Sequence, residues 1–381
     1  MLKVHSHVFL ILVILTVCGN NTSKRKCILV VPGIGSCGLF LKNHDSDVSP
    51  YGTNIFLRMN GFTLDGLKSL YESLRLFIDH HDIISCNDDG TPVNKKIGIL
   101  DTTQNLSQID NDIHNYGIFL LYRNFITKAR TEVGENWEVK LFNYDWRLDC
   151  ALNAELLVNE IKKYDEVVLI GYSMGGLISC KACVSLLNCG ELKKIKQYIS
   201  VCVPYNGSID AIFALDSGVM PIGVLNSILK FEECDKFLKQ LVLNFTSMYE
   251  LIPLDYFYKH DGSIDIKCKN NVFNDKLVQK AYKFLNSLHV NGKHIVSYLP
   301  NKVFFYGNGK NTKSSIKDNK VEYSDGDGTV TIESALYPIK DDNSVDKHVL
   351  DTYHSMVWFD DTFVSKLVNI AKNTCNDNFQ Q

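Results

Sequence analysis

A short apolar run that leads directly into a Gly-x-Ser-x-Gly pentapeptide constrains this chain more than any other feature. Residues 167–170 read Val-Val-Leu-Ile, the pentapeptide occupies 171–175, and a segment with helical periodicity follows from Leu177. Glycines on both sides of Ser173 let the backbone turn sharply between a buried strand and a helix, so that the hydroxyl projects from the sheet. The pentapeptide alone also arises by chance, but its position between strand and helix patterns favours Ser173 as a nucleophile.

Apolar runs and helical patterns alternate along the 381 residues, which is typical of an α/β fold. Strands are predicted at 27–31, 139–142, 166–170, 198–203 and 303–306, and helices at 113–130, 151–163 and 177–187. The strands are almost continuously hydrophobic, as expected for a mostly parallel central sheet covered by helices on both faces. We therefore expect a single α/β-hydrolase domain over 20–381. Amphipathic pieces at 64–78 and 225–243 lie in two insertions, a lid at about 42–107 and a cap at about 205–299.

The N-terminus has the pattern of a secretory signal. Lys3 precedes an apolar run at 8–15, and small residues follow near Gly19. This predicts a signal peptide over 1–19, with a signal anchor as the alternative, and hence the secretory pathway with a secreted, endolysosomal or vacuolar destination. Compatible glycosylation sequons begin at Asn20, Asn21, Asn105, Asn206 and Asn244.

Charge and cysteine content exclude some classes of partner. The net charge of -3 gives no basic surface, so nucleic acid is not expected as a partner. In an oxidising compartment we expect one or two disulfides and at least one unpaired thiol. The candidate pairs, each flanking part of an insertion, are Cys37 with Cys86 and Cys234 with Cys268. Three further cysteines after the elbow (Cys180, Cys183 and Cys189) have no histidine nearby, which favours core packing over a metal cluster. No metal or cofactor is predicted.

The acid and base of a serine nucleophile are expected further along the chain, in the order Ser, Asp, His. Asp327 lies in a glycine-rich acidic turn, where Asp325 is the alternative acid. His354 follows in an apolar context and is favoured over His348. The imidazole would take the serine proton, and a buried carboxylate would hold the imidazole in the required tautomer.

An oxyanion hole requires two backbone N–H groups. One is expected from Met174, the residue after the nucleophile, and the other from Ile34 in the Pro-Gly-Ile-Gly loop that follows the first strand. A phosphate-binding interpretation of this loop fails, because the G-x-G-x-x-G pattern is incomplete and no Walker lysine follows.

Six motifs together resemble the family of lecithin–cholesterol acyltransferase and lysosomal phospholipase A. They lie, in the family's order, at 28–33, 144–148 (Tyr-Asp-Trp-Arg-Leu), 171–176, 247–253, 325–330 (Asp-Gly-Asp-Gly-Thr-Val) and 354–357. The resemblance implies a triad of Ser173, Asp327 and His354, with the amides of Ile34 and Met174 as the oxyanion hole. It also implies a lipid site built from the lid and the cap, at the places of the two insertions.

The chain departs from the family at positions that concern the substrate more than the chemistry. Tyr172 replaces the histidine usual beside the nucleophile, and Cys37 and Cys86 are further apart than the family's lid disulfide. Phe56 is the nearest substitute for the family's lipid-binding tryptophan. Phe213, in an apolar segment of the cap, is a second candidate lipid contact. The remaining motif residues Asp145 and Arg147 are interpreted as an internal ion pair with a structural role.

These observations predict a serine-dependent phospholipase A. An acyl-enzyme on Ser173 would release lysophospholipid and then give its acyl group to water or to a lipid alcohol. The expected partners are a phospholipid membrane or lipoprotein surface and, where transfer occurs, the alcohol acceptor. The alternatives are a sterol or diacylglycerol O-acyltransferase, a catalytically inactive lipid-binding relative, and a protease or esterase of soluble esters.

Overall fold

The computed structural model of the chain describes residues 24–37, 39–41, 53–54, 84–94, 97–99, 120–218, 239–260, 263–267, 273–318 and 320–376. Several predicted features lie outside these residues: the signal segment, most of the lid, Phe56, and the Cys234–Cys268 pair. They stay predictions, as does the division of the chain into a single domain with two insertions.

The described residues form fifteen strands and eight α-helices. The strands are β1 (Lys26–Val31), β2 (Leu39–Leu41), β3 (Thr53–Asn54), β4 (Ile97–Ile99), β5 (Trp137–Leu141), β6 (Glu166–Tyr172), β7 (Ile195–Val201), β8 (Phe257–His260), β9 (Ser263–Ile266), β10 (His289–Val290), β11 (Lys293–His294), β12 (Lys302–Gly307), β13 (Lys310–Lys317), β14 (Lys320–Gly326) and β15 (Asp346–Leu350). The helices are α1 (Leu120–Glu132), α2 (Cys150–Lys162), α3 (Met174–Asn188), α4 (Ile209–Ser217), α5 (Thr246–Tyr249), α6 (Asp275–Asn286), α7 (Ile332–Leu336) and α8 (Asp361–Asn376). Short 3-10 turns span Leu192–Lys194, Leu254–Tyr256, Ile295–Tyr298, Tyr337–Ile339 and His354–Phe359.

A six-stranded sheet in the order β15-β12-β7-β6-β1-β5 forms the centre of the molecule. All five of its strand pairs are parallel. Side chains alternate between the two faces: Leu29 joins one hydrophobic cluster with residues of α2 and α3, and Val30 joins another with residues of α1 and α8. The predicted α/β fold, with helices on both faces of a mostly parallel sheet, is confirmed.

The sheet elements that were not predicted from the sequence include the edge strand β15 and the β13–β14 hairpin. The edge strand β15 contains Asp346, Lys347 and His348, and it escaped prediction because an edge strand needs no continuous apolar run. The β13–β14 hairpin is rich in lysine and largely solvent-facing, so it lacks an apolar signal as well. The hairpin separates β12 from the acidic turn that carries Asp327.

The described residues within 205–299, the predicted cap, pack on the same side of the sheet as α2 and α3. Ile212 of α4, Met248 of α5 and Leu277 of α6 belong to one hydrophobic cluster with Leu157 and Leu177. Short hairpins, β8–β9 and β10–β11, complete this layer. Within the described ranges, no helix is both long and apolar enough to cross a membrane.

The expected disulfide between Cys37 and Cys86 is wrong. Both cysteines are free and buried, and the two sulfurs have different neighbouring residues. The Cys37 sulfur accepts the backbone N–H of Tyr144 at 3.5 Å, whereas Cys86 lies near the charged side chains of Arg147 and Asp145. Cys180 and Cys183 are free and buried on α3, as the core-packing interpretation predicted. For Cys189 that interpretation is wrong, because this free cysteine follows the last residue of α3 and is exposed.

Candidate active site

Ser173 occupies a strained turn between β6 and α3. Its φ of 51° lies in the left-handed region, and its backbone N–H donates to Val201 of β7 at 3.0 Å. The turn requires glycines: a Cβ on Gly171 would lie 2.6 Å from Cα of Gly176, and one on Gly175 would lie 2.2 Å from the carbonyl oxygen of Val31. The strand, the elbow and the helix therefore fix the position of the serine hydroxyl.

The structure brings Ser173, His354 and Asp327 together. His354 Nε2 lies 2.9 Å from the Ser173 hydroxyl, and His354 Nδ1 lies 2.7 Å from Asp327 Oδ2. All three residues are buried. With Nδ1 protonated toward the carboxylate, Nε2 is free to accept the serine proton. This is the geometry required of a nucleophile, base and acid.

The alternative acid and base lie elsewhere. Asp325 pairs with Asn311 across the β13–β14 hairpin. His348 is on the edge strand β15, where its Nε2 lies 3.0 Å from Asp346. Neither residue takes part in the hydrogen bonds that join Ser173 to Asp327.

The Asp327 carboxylate is held by backbone donors of its own turn. Oδ1 accepts the N–H groups of Thr329 at 3.0 Å and Val330 at 2.7 Å, which leaves Oδ2 for the imidazole. The Asp327 carbonyl oxygen accepts the His354 N–H at 2.8 Å. The end of β12 packs tightly against this turn, because a Cβ added to Gly307 would lie only 2.3 Å from Cβ of Asp327.

Tyr172 acts on the histidine side of the site, a role that the sequence did not reveal. Its hydroxyl donates to the carbonyl oxygen of His354 at 2.7 Å. The two rings stack with centroids 5.3 Å apart and planes 23° from parallel. The departure from the family's usual histidine therefore concerns the support of the base, in addition to any effect on substrate. In the sequence, the only indication of this role is that Tyr172 directly precedes Ser173.

The loop after β1 lies against the nucleophile, as an oxyanion hole requires. A Cβ on Gly33 would lie 3.0 Å from Cβ of Ser173. Among the described residues, the backbone N–H groups of Ile34 and Met174 have no hydrogen-bond partner. Both amides are thus available to an oxyanion near Ser173.

Two tyrosines hold this loop: Tyr122, which lies in none of the six motifs, and Tyr144, the first residue of the motif at 144–148. The Tyr122 hydroxyl accepts from the Gly33 N–H at 3.3 Å and donates to the Ser36 hydroxyl at 3.2 Å. The Tyr144 hydroxyl donates to the carbonyl oxygen of Pro32 at 2.6 Å. Burial raises the pKa of both phenols, so each stays a neutral hydroxyl at physiological pH.

The predicted ion pair of Asp145 and Arg147 is confirmed. The guanidinium binds both carboxylate oxygens, Nε at 2.9 Å and Nη2 at 2.6 Å, and Nη1 donates to the carbonyl oxygen of Ile84 at 2.7 Å. Arg147 is fully buried, and hydrogen bonding and charge from Asp145 raise its pKa against the effect of burial. The pair fastens the segment at Ile84 to the loop after β5, which is a structural role.

Phe213, the described candidate for lipid contact, lies on α4 and is partly buried. The ammonium of Lys313 is 5.1 Å from the centre of its ring and also binds Asp210 of the same helix. Burial raises the pKa of Asp210 even though Lys313 acts in the opposite direction. The partly buried Phe213 ring thus has a cation close to its face.

One group of residues within the described ranges offers three possible metal ligands. Cys202 Sγ, an Asp327 oxygen and a His354 nitrogen all lie within 4.8 Å of one another. The histidine and the aspartate already bind each other, so the group belongs to the site around Ser173. The sequence-based expectation that no metal is needed stays a prediction.

The comparison with known families tests the resemblance that the six sequence motifs indicated. The model of the lecithin:cholesterol acyltransferase family matches residues 131–304, just under half of the chain. The resemblance to this family is confirmed. The matched segment contains Ser173 and the whole of the predicted cap, while Asp327 and His354 lie beyond it. No curated protein sequence matches the chain significantly.

A solved structure supports the same fold at low sequence identity. A chain in the crystal structure of the Tle4–Tli4 complex is 12% identical, with a TM-score of 0.56, over 93% of this chain and 99% of that chain. The mature lipase BlEst2 of Bacillus licheniformis is 14% identical, with a TM-score of 0.38, over 66% of this chain and 86% of that chain. The family match and the hydrolase fold together support a lipid ester hydrolase or acyltransferase.

Proposed function

We propose that this protein is a serine-dependent phospholipase A that proceeds through an acyl-enzyme. The observation that carries the proposal is the continuous chain of hydrogen bonds from the Ser173 hydroxyl through His354 to Asp327. The lipid class of the substrate is inferred from the family match. We also propose that the protein enters the secretory pathway and works at a phospholipid membrane or lipoprotein surface.

In the proposed reaction, His354 Nε2 accepts the Ser173 proton as the serine oxygen attacks the acyl carbonyl of a glycerophospholipid. The N–H groups of Ile34 and Met174 receive the developing oxyanion, and Asp327 stabilises the imidazolium. The imidazolium then gives its proton to the glycerol oxygen, and lysophospholipid leaves. Water, deprotonated by the same imidazole, releases the fatty acid and restores Ser173.

Acyl transfer to a lipid alcohol is the second candidate, and the family match favours keeping it. An alcohol bound in place of water would take the acyl group by the same base catalysis. We propose hydrolysis as the main outcome, since a transferase must in addition bind a second lipid at the acyl-enzyme.

The test is an incubation of purified protein with phosphatidylcholine vesicles that also contain a lipid alcohol. Mass spectrometry would count lysophospholipid, free fatty acid and acylated alcohol, with Ser173→Ala in parallel. The proposal predicts lysophospholipid that depends on Ser173, with more free fatty acid than acylated alcohol. The reverse ratio would establish the transferase, and equal traces from both proteins would exclude phospholipid as the substrate.

Matched variants separate the proposed base and acid from their neighbours in the sequence. His354→Ala and Asp327→Asn should abolish most of the activity, whereas His348→Ala and Asp325→Asn should leave it close to that of the original protein. A fluorophosphonate probe tests the inactive-relative alternative, because a chain without a functional nucleophile would leave Ser173 unlabelled.

A further inference from the structure

Cys202 stands at the carboxyl end of β7 in a backbone conformation that suits glycine. Its φ is 49°, in the left-handed region that residues with a Cβ seldom adopt. Its N–H donates to the carbonyl oxygen of Phe305 at 2.8 Å, which continues the pairing of β7 with β12 by one residue. The side chain is fully buried. A cysteine at such a position places a thiol where glycine would be less strained.

The thiol faces the acid of the candidate active site. It lies beside the Asp327 carboxylate, whose negative charge acts on it. Sulfur, carboxylate oxygen and the nearest His354 ring nitrogen lie within 4.8 Å of one another. Burial, reinforced by the negative charge of Asp327, raises the pKa of this thiol, which therefore keeps its proton and stays a donor.

We propose that Cys202 is a positioning residue for the acid of the active site, whose S–H holds the Asp327 carboxylate in place behind His354. This inference rests on the proposed function, because it gives Asp327 the role of orienting a catalytic base. It adds a donor from a neighbouring strand to the two backbone donors that Asp327 receives from its own turn.

Cys202 differs from the two backbone donors in the structural element to which it belongs. Thr329 and Val330 move together with Asp327, because all three belong to one turn. Cys202 belongs to the central sheet, one residue after the carbonyl of Val201 that accepts the Ser173 N–H. The thiol thus connects the acid to the same strand that positions the nucleophile. It thereby fixes the distance between Asp327 and Ser173, which His354 spans.

Three substitutions separate positioning from packing. Cys202→Ser keeps a donor of similar size, Cys202→Ala removes the donor and keeps the Cβ, and Cys202→Gly removes the donor and relieves the backbone strain. Cys183→Ala is the control, since it removes an equally buried thiol from α3. Each variant would be assayed for thermal unfolding, for hydrolysis of a soluble ester, and for the rate at which a fluorophosphonate labels Ser173.

The expected result is that Ser at position 202 retains kcat within about 2-fold, whereas Ala and Gly lower kcat by about 3- to 10-fold with little change in KM. The acid limb of the pH–rate profile should move to higher pH in the Ala and Gly variants. A carboxylate with one donor fewer attracts the imidazolium proton more strongly, so the base becomes free only at higher pH. Cys202→Gly should unfold at a higher temperature than Cys202→Ala, and the Cys183 control should not shift the profile.

An unchanged kcat and pH profile in Cys202→Gly would overturn the inference and leave Cys202 as core packing. The soluble ester and the probe keep this outcome distinct from a wrong lipid assignment, because neither depends on phospholipid. If Ser173 of the unaltered protein failed to label, the proposed function itself would be overturned, and the role of Cys202 with it.

Discussion

The candidate active site and the region beneath the start of α2 each contain a buried carboxyl group. The two groups are almost equally hidden from water, but they differ in the hydrogen-bond donors around them. Asp327 is 1% exposed and accepts two backbone N–H groups, with His354 at its other oxygen. Glu250 is 0% exposed. Its Oε2 accepts the Cys150 N–H at 2.8 Å, and its Oε1 meets no hydrogen-bond partner among the described residues.

The difference shows that the number of donors, more than the depth of burial, decides what a carboxyl group does. Burial and the nearby negative charge of Asp149 raise the pKa of Glu250 well above the ordinary value, which favours the neutral acid. Asp327 is surrounded by donors, which suit a charge that must be present when an imidazolium forms. This contrast supports the proposed catalytic role of Asp327 and a role in the fold for Glu250.

The largest expected effect sharpens this contrast directly. Asp327→Asn should lower kcat by about 10⁴-fold, because the amide no longer holds the imidazole in the productive tautomer. Its thermal unfolding should change little. Glu250→Gln, measured in the same ester assay, should keep nearly full activity, and a large loss there would contradict the division of roles.

A backbone substitution tests how tightly the Asp327 site is packed. In Gly307→Ala the new methyl would lie 2.3 Å from Cβ of Asp327 if the backbone did not move, so the two groups would collide. We expect kcat to fall by about 100-fold through displacement of the acid. Activity measured beside circular dichroism checks this, and a folded variant with full activity would show that the turn can shift freely.

The Glu250 site should reveal itself in the pH dependence of stability. A carboxyl pKa raised on folding favours the native state fully below the unfolded value near 4.5, and this contribution is lost as the pH rises through the folded value. Glu250→Gln should therefore be more stable than the original protein by about 1–3 kcal/mol at pH 8, with the advantage shrinking at pH 4.5. Urea unfolding at both pH values measures it.

Glu322 of β14 is the matched control for that experiment. It is exposed, and hydrogen bonds from Lys317 and Ser315 lower its pKa, the opposite direction from Glu250. Glu322→Gln should show no gain in stability with rising pH. A gain of equal size in both variants would mean that net charge, rather than the buried acid, is responsible.

The smallest expected effect concerns the contacts of Tyr172 with His354, the partner of Asp327. Tyr172→Phe removes the hydrogen bond to the His354 carbonyl and keeps the stacked ring. We expect kcat to fall by about 3- to 10-fold with KM unchanged. Steady-state kinetics on a soluble ester checks this, and an unchanged kcat would show that stacking alone is sufficient.

The fold and the three central residues could be predicted because each leaves a pattern in the sequence. The strands are nearly continuous apolar runs, the elbow needs its glycines, and Ser173, Asp327 and His354 follow one another in the expected order. The helix after the elbow was predicted from Leu177, but it begins at Met174, because the glycines of its first turn conceal the helical pattern.

The supporting residues could not be predicted, because their function depends on neighbours distant in the chain. Cys202 lies between two valines and has the pattern of a core residue, and nothing local indicates that Asp327 will face its thiol. The pairing of Cys37 with Cys86 failed for the same reason. The Cys37 sulfur accepts the Tyr144 N–H, and Cys86 lies near Arg147, both of them residues of another loop.

The backbone bonds that extend past β6 and β7 couple the catalytic geometry to the cohesion of the sheet. Ser173 donates to Val201 and Cys202 donates to Phe305, so three adjacent strand ends are tied to one another at the site. Such amides exchange hydrogen with solvent only when the surrounding sheet opens. Heat inactivation should therefore coincide with global melting, and the enzyme should stay fully competent until the central sheet itself gives way.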